Sequence, residues 1–224
     1  NALFWPAPVV MLLAGLGVMA VLAMPPVQTG LGRVGVKPGL LVAGVLATSW
    51  LLVAFWFLAD SYAQINWAAE QLAPLFVVQA ILIMLSRNNF APKHPNPDDQ
   101  RAGRSGWIGG IGFTLLAHAL VGYPLMALLA GRPIAQSEVF GLAPDPTVIA
   151  TLGVLLIARA GLGRRPILLA LSLGLCVLWC GLSWLTLTTL GTWEAWSPAV
   201  AAGLAVLGWM LPHRHGTPPQ AATP

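Results

Sequence analysis

Arg132, Gln136, Ser137, Glu138 and Asp145 all fall within the segment 132–147, RPIAQSEVFGLAPDPT. Only 8% of the chain is charged, so a cation, two carboxylates and two hydrogen-bonding side chains in one short stretch are a concentration of binding capacity. Other polar groups stand singly in apolar runs: Gln79, His118, Cys176 and Cys180. An ionisable side chain at such depth is a functional candidate by default. His118 could ligate a haem or a chlorophyll-type pigment, or relay protons. The reading favoured here is a neutral imidazole hydrogen-bonded across helices. A haem held by two histidines is disfavoured, because His94, His213 and His215 lie in polar segments. Cys176 and Cys180 are four apart and share a helix face; with His118 they make a weak candidate for a soft-metal site. The sequence contains no GxSxG, HExxH or Walker loop, and no carboxylate pair inside an apolar run, which leans away from an enzyme.

The elements that must position these groups are transmembrane. With 57% hydrophobic residues and a mean hydropathy of +0.78, the chain lies far outside the range of soluble domains. The pattern predicts an all-α polytopic bundle of about seven spans in one domain, 1–212, with spans near 5–24, 39–58, 67–85, 107–130, 147–160, 167–190 and 193–211. Segment 86–106 reads as a solvated loop, and 213–224 as a polar, proline-rich tail. Pro25 and Pro26 are expected to end the first span, leaving a Gly-rich loop with Arg33 and Lys37. Gly106 and Gly110 form a GxxxG pair expected to favour close helix packing. The net charge of +4 does not point to nucleic acid, since the basic residues share no soluble surface.

Basic residues orient the bundle. Ten of the eleven fall in the loops after spans one, three and five and in the tail, and only Arg132 lies on the other side. This predicts an external N-terminus and a cytoplasmic C-terminus. Five of the seven acids show the reverse bias. An acidic outer mouth is therefore expected from Asp60, Asn66, Trp67, Glu70, Arg132, Glu138, Asp145 and Glu194. Arg132 is expected to pair with Glu138 first and Glu70 second. Asp145 is expected to cap the fifth span, with Pro146 in the first helical position, beneath a partly submerged loop. Trp5, Trp56, Trp67, Trp193 and Trp196 at one boundary, and Trp107 and Trp209 at the other, suit headgroup belts. Trp50, Trp179 and Trp184 lie deeper and read as packing residues.

The strings INWAA (65–69) and EVFGLAPDPT (138–147) resemble an uncharacterised bacterial family of small multi-pass membrane proteins, a domain of unknown function. The opening 1–6 is similar to the place where that family's first span begins, after a short N-terminal segment. The resemblance implies a fold type and no catalytic residues. Three functions are consistent with these features. The first is a non-catalytic accessory subunit of a larger membrane complex, such as a pigment- or electron-transfer-related one. The others are a small-solute or ion transporter with an acidic outer mouth, and a membrane enzyme or sensor using the 132–147 loop. The expected partners are the lipid bilayer and other membrane subunits.

Overall fold

The computed structural model describes residues 6–91, 102–162 and 166–211, with the side chains of 102–105 left aside. Among the described residues the chain is all-helical. Helices form at each of the seven apolar segments, because a backbone without water must satisfy its own N–H and C=O groups. They are α1 (Ala7–Ala23), α3 (Pro38–Leu52, continued by a π-helical stretch Val53–Tyr62), α4 (Ala68–Leu85), α5 (Ala102–Ala117), α7 (Pro144–Gly161), α8 (Ile167–Thr189) and α9 (Trp196–Met210). A π-helical turn, His118–Gly122, joins α5 to α6 (Tyr123–Leu129), so the two run as one rod. Among the described residues four rods are long and apolar enough to cross a membrane, and a fifth is reached if α1 and the helix bent away from it, Pro25–Arg33, count as one span.

That bend corrects the expected loop after Pro25. The prolines end α1, but they occupy the first turn of a new helix, α2 (Pro25–Arg33), which leaves at 101°. Proline's fixed φ and missing N–H are harmful inside a helix and harmless at its start. The same residues that stop one helix therefore begin the next.

α7 is the pillar of the bundle. Fifteen of its eighteen residues are buried, and it packs against α3, α5, α8 and α9. Though as long as α4, it is not among the helices apolar enough to cross a membrane, and its neighbours are protein. The closest approach is to α5 at Gly112 and Gly153. A Cβ on Gly112 would stand 2.6 Å from the Gly153 carbonyl oxygen, and one on Gly153 2.5 Å from that of Gly112. Small residues let two backbones approach to this distance. The expected contact at Gly106 and Gly110 is not made: both face open space beside Trp107, Thr114 and Leu204, in an outward groove. The packing pair lies on the opposite face of α5.

Of the expected loop 86–106, residues 92–101 lie outside the described residues, as do the tail 213–224 and His94, His213 and His215, while 102–106 already belong to α5 and so shorten that loop. Where that loop begins, Phe90 is buried against the core.

Candidate functional site

The EVFGLAPDPT string forms a plug that enters the bundle and turns into α7. Val139, Phe140 and Ala143 are buried, and Phe140 lies against Gly15 of α1. Gly141 makes the turn with φ +79°, where a side chain is strained and a Cβ would collide with Met11. Its N–H donates to Thr147 Oγ1 at 2.8 Å, and that hydroxyl donates to the Ala143 carbonyl at 2.7 Å. Thr147 thus ties the loop to the helix that follows it. One turn later Thr151 accepts a hydrogen bond from the Trp50 indole at 2.9 Å and anchors α3 to α7.

Asp145 is not the cap of α7. Ala143 holds that position without a side-chain bond, Pro144 opens the helix, and Asp145 sits within the first turn. Its carboxylate turns inward, 7% exposed, and accepts three hydrogen bonds. Trp179 Nε1 donates to Oδ1 at 2.8 Å, and Tyr123 Oη and Ser183 Oγ donate to Oδ2 at 2.9 and 2.6 Å. The donors come from α6 and α8, so one carboxylate fastens three helices. The positive end of the α7 dipole favours a carboxylate there. Sequence reading did not connect Tyr123, Trp179 and Ser183 with Asp145. The available signal was the spacing of Trp179 and Ser183, four apart and hence on one face of α8.

Around this buried acid lies a shell of charge. Arg132 pairs with Glu194, in the 3-10 turn Trp193–Ala195 before α9, rather than with Glu138 or Glu70. The pair joins the segment after α6 to the entry of α9, and the 62-residue separation hid it from local reading. Glu138 is partly buried and has no hydrogen-bond partner among the described residues. Burial pushes its carboxyl up to about 7, reinforced by the charges of Asp145 and Glu194 and opposed by Arg132.

The expected mouth is therefore gathered only in part. Arg132, Glu138, Asp145 and Glu194 act on one another. Asp60, Trp67 and Glu70 are exposed around the α3–α4 turn, and neither Asp60 nor Glu70 is among the charges acting on Glu138. Asn66 accepts the Ala68 N–H at 3.0 Å, so the asparagine of INWAA shapes the start of α4. Ser137 donates to the Pro124 carbonyl at 3.1 Å, while Gln136 is exposed.

The intramembrane candidates separate into two places. His118 Nε2 lies 2.8 Å from Ser197 Oγ of α9, and its ring meets Tyr123 edge-on at 6.1 Å and covers Gly122. The Gln79 amide nitrogen donates to Ser172 Oγ at 2.5 Å and lies 3.4 Å from Cys176 Sγ, joining α4 to α8. Cys176 and Cys180 are free and buried. No group of three His, Cys, Asp or Glu among the described residues is placed to hold a metal, so His118 does not join the cysteines.

At the opposite end of α7, Arg159 corrects a residue read as a loop cation. It is fully buried. Its Nε and Nη2 donate to the Trp209 carbonyl at 3.1 and 2.8 Å, Nη2 also donates to the Leu211 carbonyl at 2.8 Å, and the guanidinium lies 5.3 Å from the Trp209 ring centroid. Trp209 is thereby a buried partner and not a belt residue, whereas Trp184 is exposed rather than packed inside. Trp67, Trp107, Trp193 and Trp196 are exposed.

No curated protein and no solved structure matches this chain. A family model does: it covers residues 1–215 and is described as a family of unknown function, DUF6064. That match fits the expected resemblance to a domain of unknown function, and the chain belongs to the DUF6064 family.

Proposed function

We propose that the protein is a non-catalytic accessory subunit of a larger complex in a bacterial inner membrane, with Arg132 and Glu194 on the outer side. The observation that carries this reading is the engagement of Asp145. The acid best placed to do chemistry is taken up by three donors that fasten α6, α7 and α8. The strings INWAA and EVFGLAPDPT serve the same end, since Gly141, Thr147 and Asn66 each form a turn or a tie. The outward groove at Gly106 and Gly110 leaves part of α5 without a neighbouring helix, which suits a protein with membrane partners. The orientation is supported by the ten-to-one division of basic residues. The test is affinity purification of the tagged chain from its native membrane in a mild detergent. Other membrane polypeptides in a fixed ratio to the chain are expected; elution of the chain alone, at the size of a monomer, contradicts the proposal.

A second reading, a transporter of a cation or cationic solute, is favoured by one observation. Two carboxylates, Asp145 and Glu194, and a single arginine, paired with Glu194, all act on a third carboxylate, Glu138. Uptake of a labelled cation into vesicles holding the purified chain would distinguish it from the first.

A further inference from the structure

We propose that α2 lies flat in a headgroup layer, and that Arg33, Lys37 and Arg87 beside it bind the phosphates of anionic phospholipid. The proposal rests on the path of the chain at this end of the bundle and holds for either reading of function.

α1 packs against α3, one of the rods long enough to span, and α2 then departs from α1 at 101°. The bend is built from specific bonds. Pro25 has no N–H to give the Val21 carbonyl, and Gln28 Nε2 donates there instead, at 2.9 Å. At the far end the N–H groups of Val36 and Gly35 return to the carbonyls of Leu31 and Gly32 at 2.9 and 3.1 Å, with Gly35 at φ +75°. This closure through a left-handed glycine ends α2 and fixes the turn that leads into α3. Val27 and Leu31, four apart, pack on the core, yet no residue of α2 is fully buried. Met24, Val34 and Val36 are exposed beside it. A short helix with one apolar edge, open polar residues and no burial suits the plane of an interface and not a submerged position.

Three cations share this edge. Arg33 is the last residue of α2, and Lys37 caps the start of α3. Arg87 follows α4, and a Cβ added at Gly39 would collide with its carbonyl, so Arg87 stands beside the start of α3. All three are exposed. Among the described residues the side chains of Arg33 and Lys37 have no hydrogen bond or ion pair, and Arg87 donates only to the Met84 carbonyl, at 3.3 Å. The described acids, Asp60, Glu70, Glu138, Asp145 and Glu194, all stand at the opposite ends of the helices. Cations that lack counter-charges and flank a surface-lying helix meet lipid phosphates as their nearest anions. Each such residue strengthens binding to an anionic surface about fivefold.

The test is a competition between lipids on the purified full chain. The protein is held in nanodiscs of equal parts phosphatidylglycerol and phosphatidylcholine, and the lipids it retains on release are counted by native mass spectrometry. Phosphatidylglycerol should be retained in preference. Arg33→Gln, Lys37→Gln and Arg87→Gln should each lower that preference, by up to about fivefold, and the three together should abolish it. Arg33→Lys with Arg87→Lys keeps the charges and should keep the preference. In vesicles of the same composition, a nitroxide on Val34→Cys should be relaxed by a nickel chelate anchored at the headgroups more strongly than by one free in water; Cys176 and Cys180 are buried and take no label. Equal retention of the two lipids by the unmodified chain overturns the proposal, as does a preference that survives loss of all three cations. A label at 34 relaxed more strongly by the chelate in water would show that α2 stands clear of the headgroups, and contradicts it equally.

Discussion

The two ends of α7 solve the same problem by different means. Each buries a charge that agrees with the helix dipole, Asp145 in the first turn and Arg159 in the last. At the Asp145 end the partners are side chains, a phenol, an indole and a hydroxyl from α6 and α8. At the Arg159 end they include backbone carbonyls, those of Trp209 and Leu211 where α9 finishes. A helix end leaves its last carbonyls without intrahelical donors, and in apolar surroundings a fork of N–H groups is an efficient way to satisfy them. Side-chain partners can be removed one at a time by substitution; backbone partners cannot. The Arg159 end should therefore fail abruptly, and the Asp145 end by degrees.

The largest expected effect is at Arg159. Arg159→Leu removes the buried cation and leaves the end of α9 with unpaired carbonyls, a loss of roughly 3–5 kcal/mol. Thermal unfolding in detergent would measure it. Arg159→Lys should recover little, because an ammonium cannot span two carbonyls as a planar fork does. Next comes Asp145→Ala, which strands three donors and should cost roughly 2–3 kcal/mol in the same assay. A larger loss there than at Arg159 would break the comparison. Smaller again are Ser183→Ala and Tyr123→Phe, each roughly 1 kcal/mol, since the carboxylate keeps two of its three donors. The smallest effect is a slope. Glu138 has a folded-state value of about 7 against an ordinary 4.5, so between those values the folded chain holds a proton that the unfolded chain has released. Stability from this group is fully present below the lower value and is lost as pH rises through the upper one. Glu138→Gln should flatten that part of the stability curve, and an unchanged slope would remove Glu138 as its source.

Much of the fold was legible because the bilayer imposes it. Long apolar runs in lipid have little choice but to become helices, and seven runs gave helices at seven places. At Pro25 and Pro26 proline reads as a stop and hides the start it also makes, because no long apolar run follows to mark α2 as a helix. The plug at 138–147 was legible as a departure from solvated loop chemistry, because Val139 to Ala143 is apolar and prolines follow at once. What could not be read was the direction in which charged side chains point. Asp145 and Arg159 look like a cap and a boundary cation in sequence, since a charge near the end of an apolar run normally reaches for water. Their inward turn depends on Trp179, Ser183 and Trp209, residues 34, 38 and 50 positions away. The partner of Arg132 was hidden for the same reason: Glu138 and Glu70 were plausible by charge, and Glu194 won through the packing of the turn before α9. Glycine showed a related limit. Gly106 and Gly110 carry the recognisable spacing, yet the backbones meet at Gly112 and Gly153, because the rotation of α5 decides which glycine faces α7.

The central claim is that Asp145 is a structural acceptor binding α6 and α8 to the pillar. A double-mutant cycle between Asp145→Asn and Ser183→Ala, read by unfolding in detergent, tests it most directly. The expected result is a coupling of about 1 kcal/mol, the whole of the Ser183→Ala loss, because without the carboxylate the hydroxyl has no bond left to lose. Additive losses, with a coupling below about 0.3–0.5 kcal/mol, would mean that the two side chains act independently and would contradict the claim.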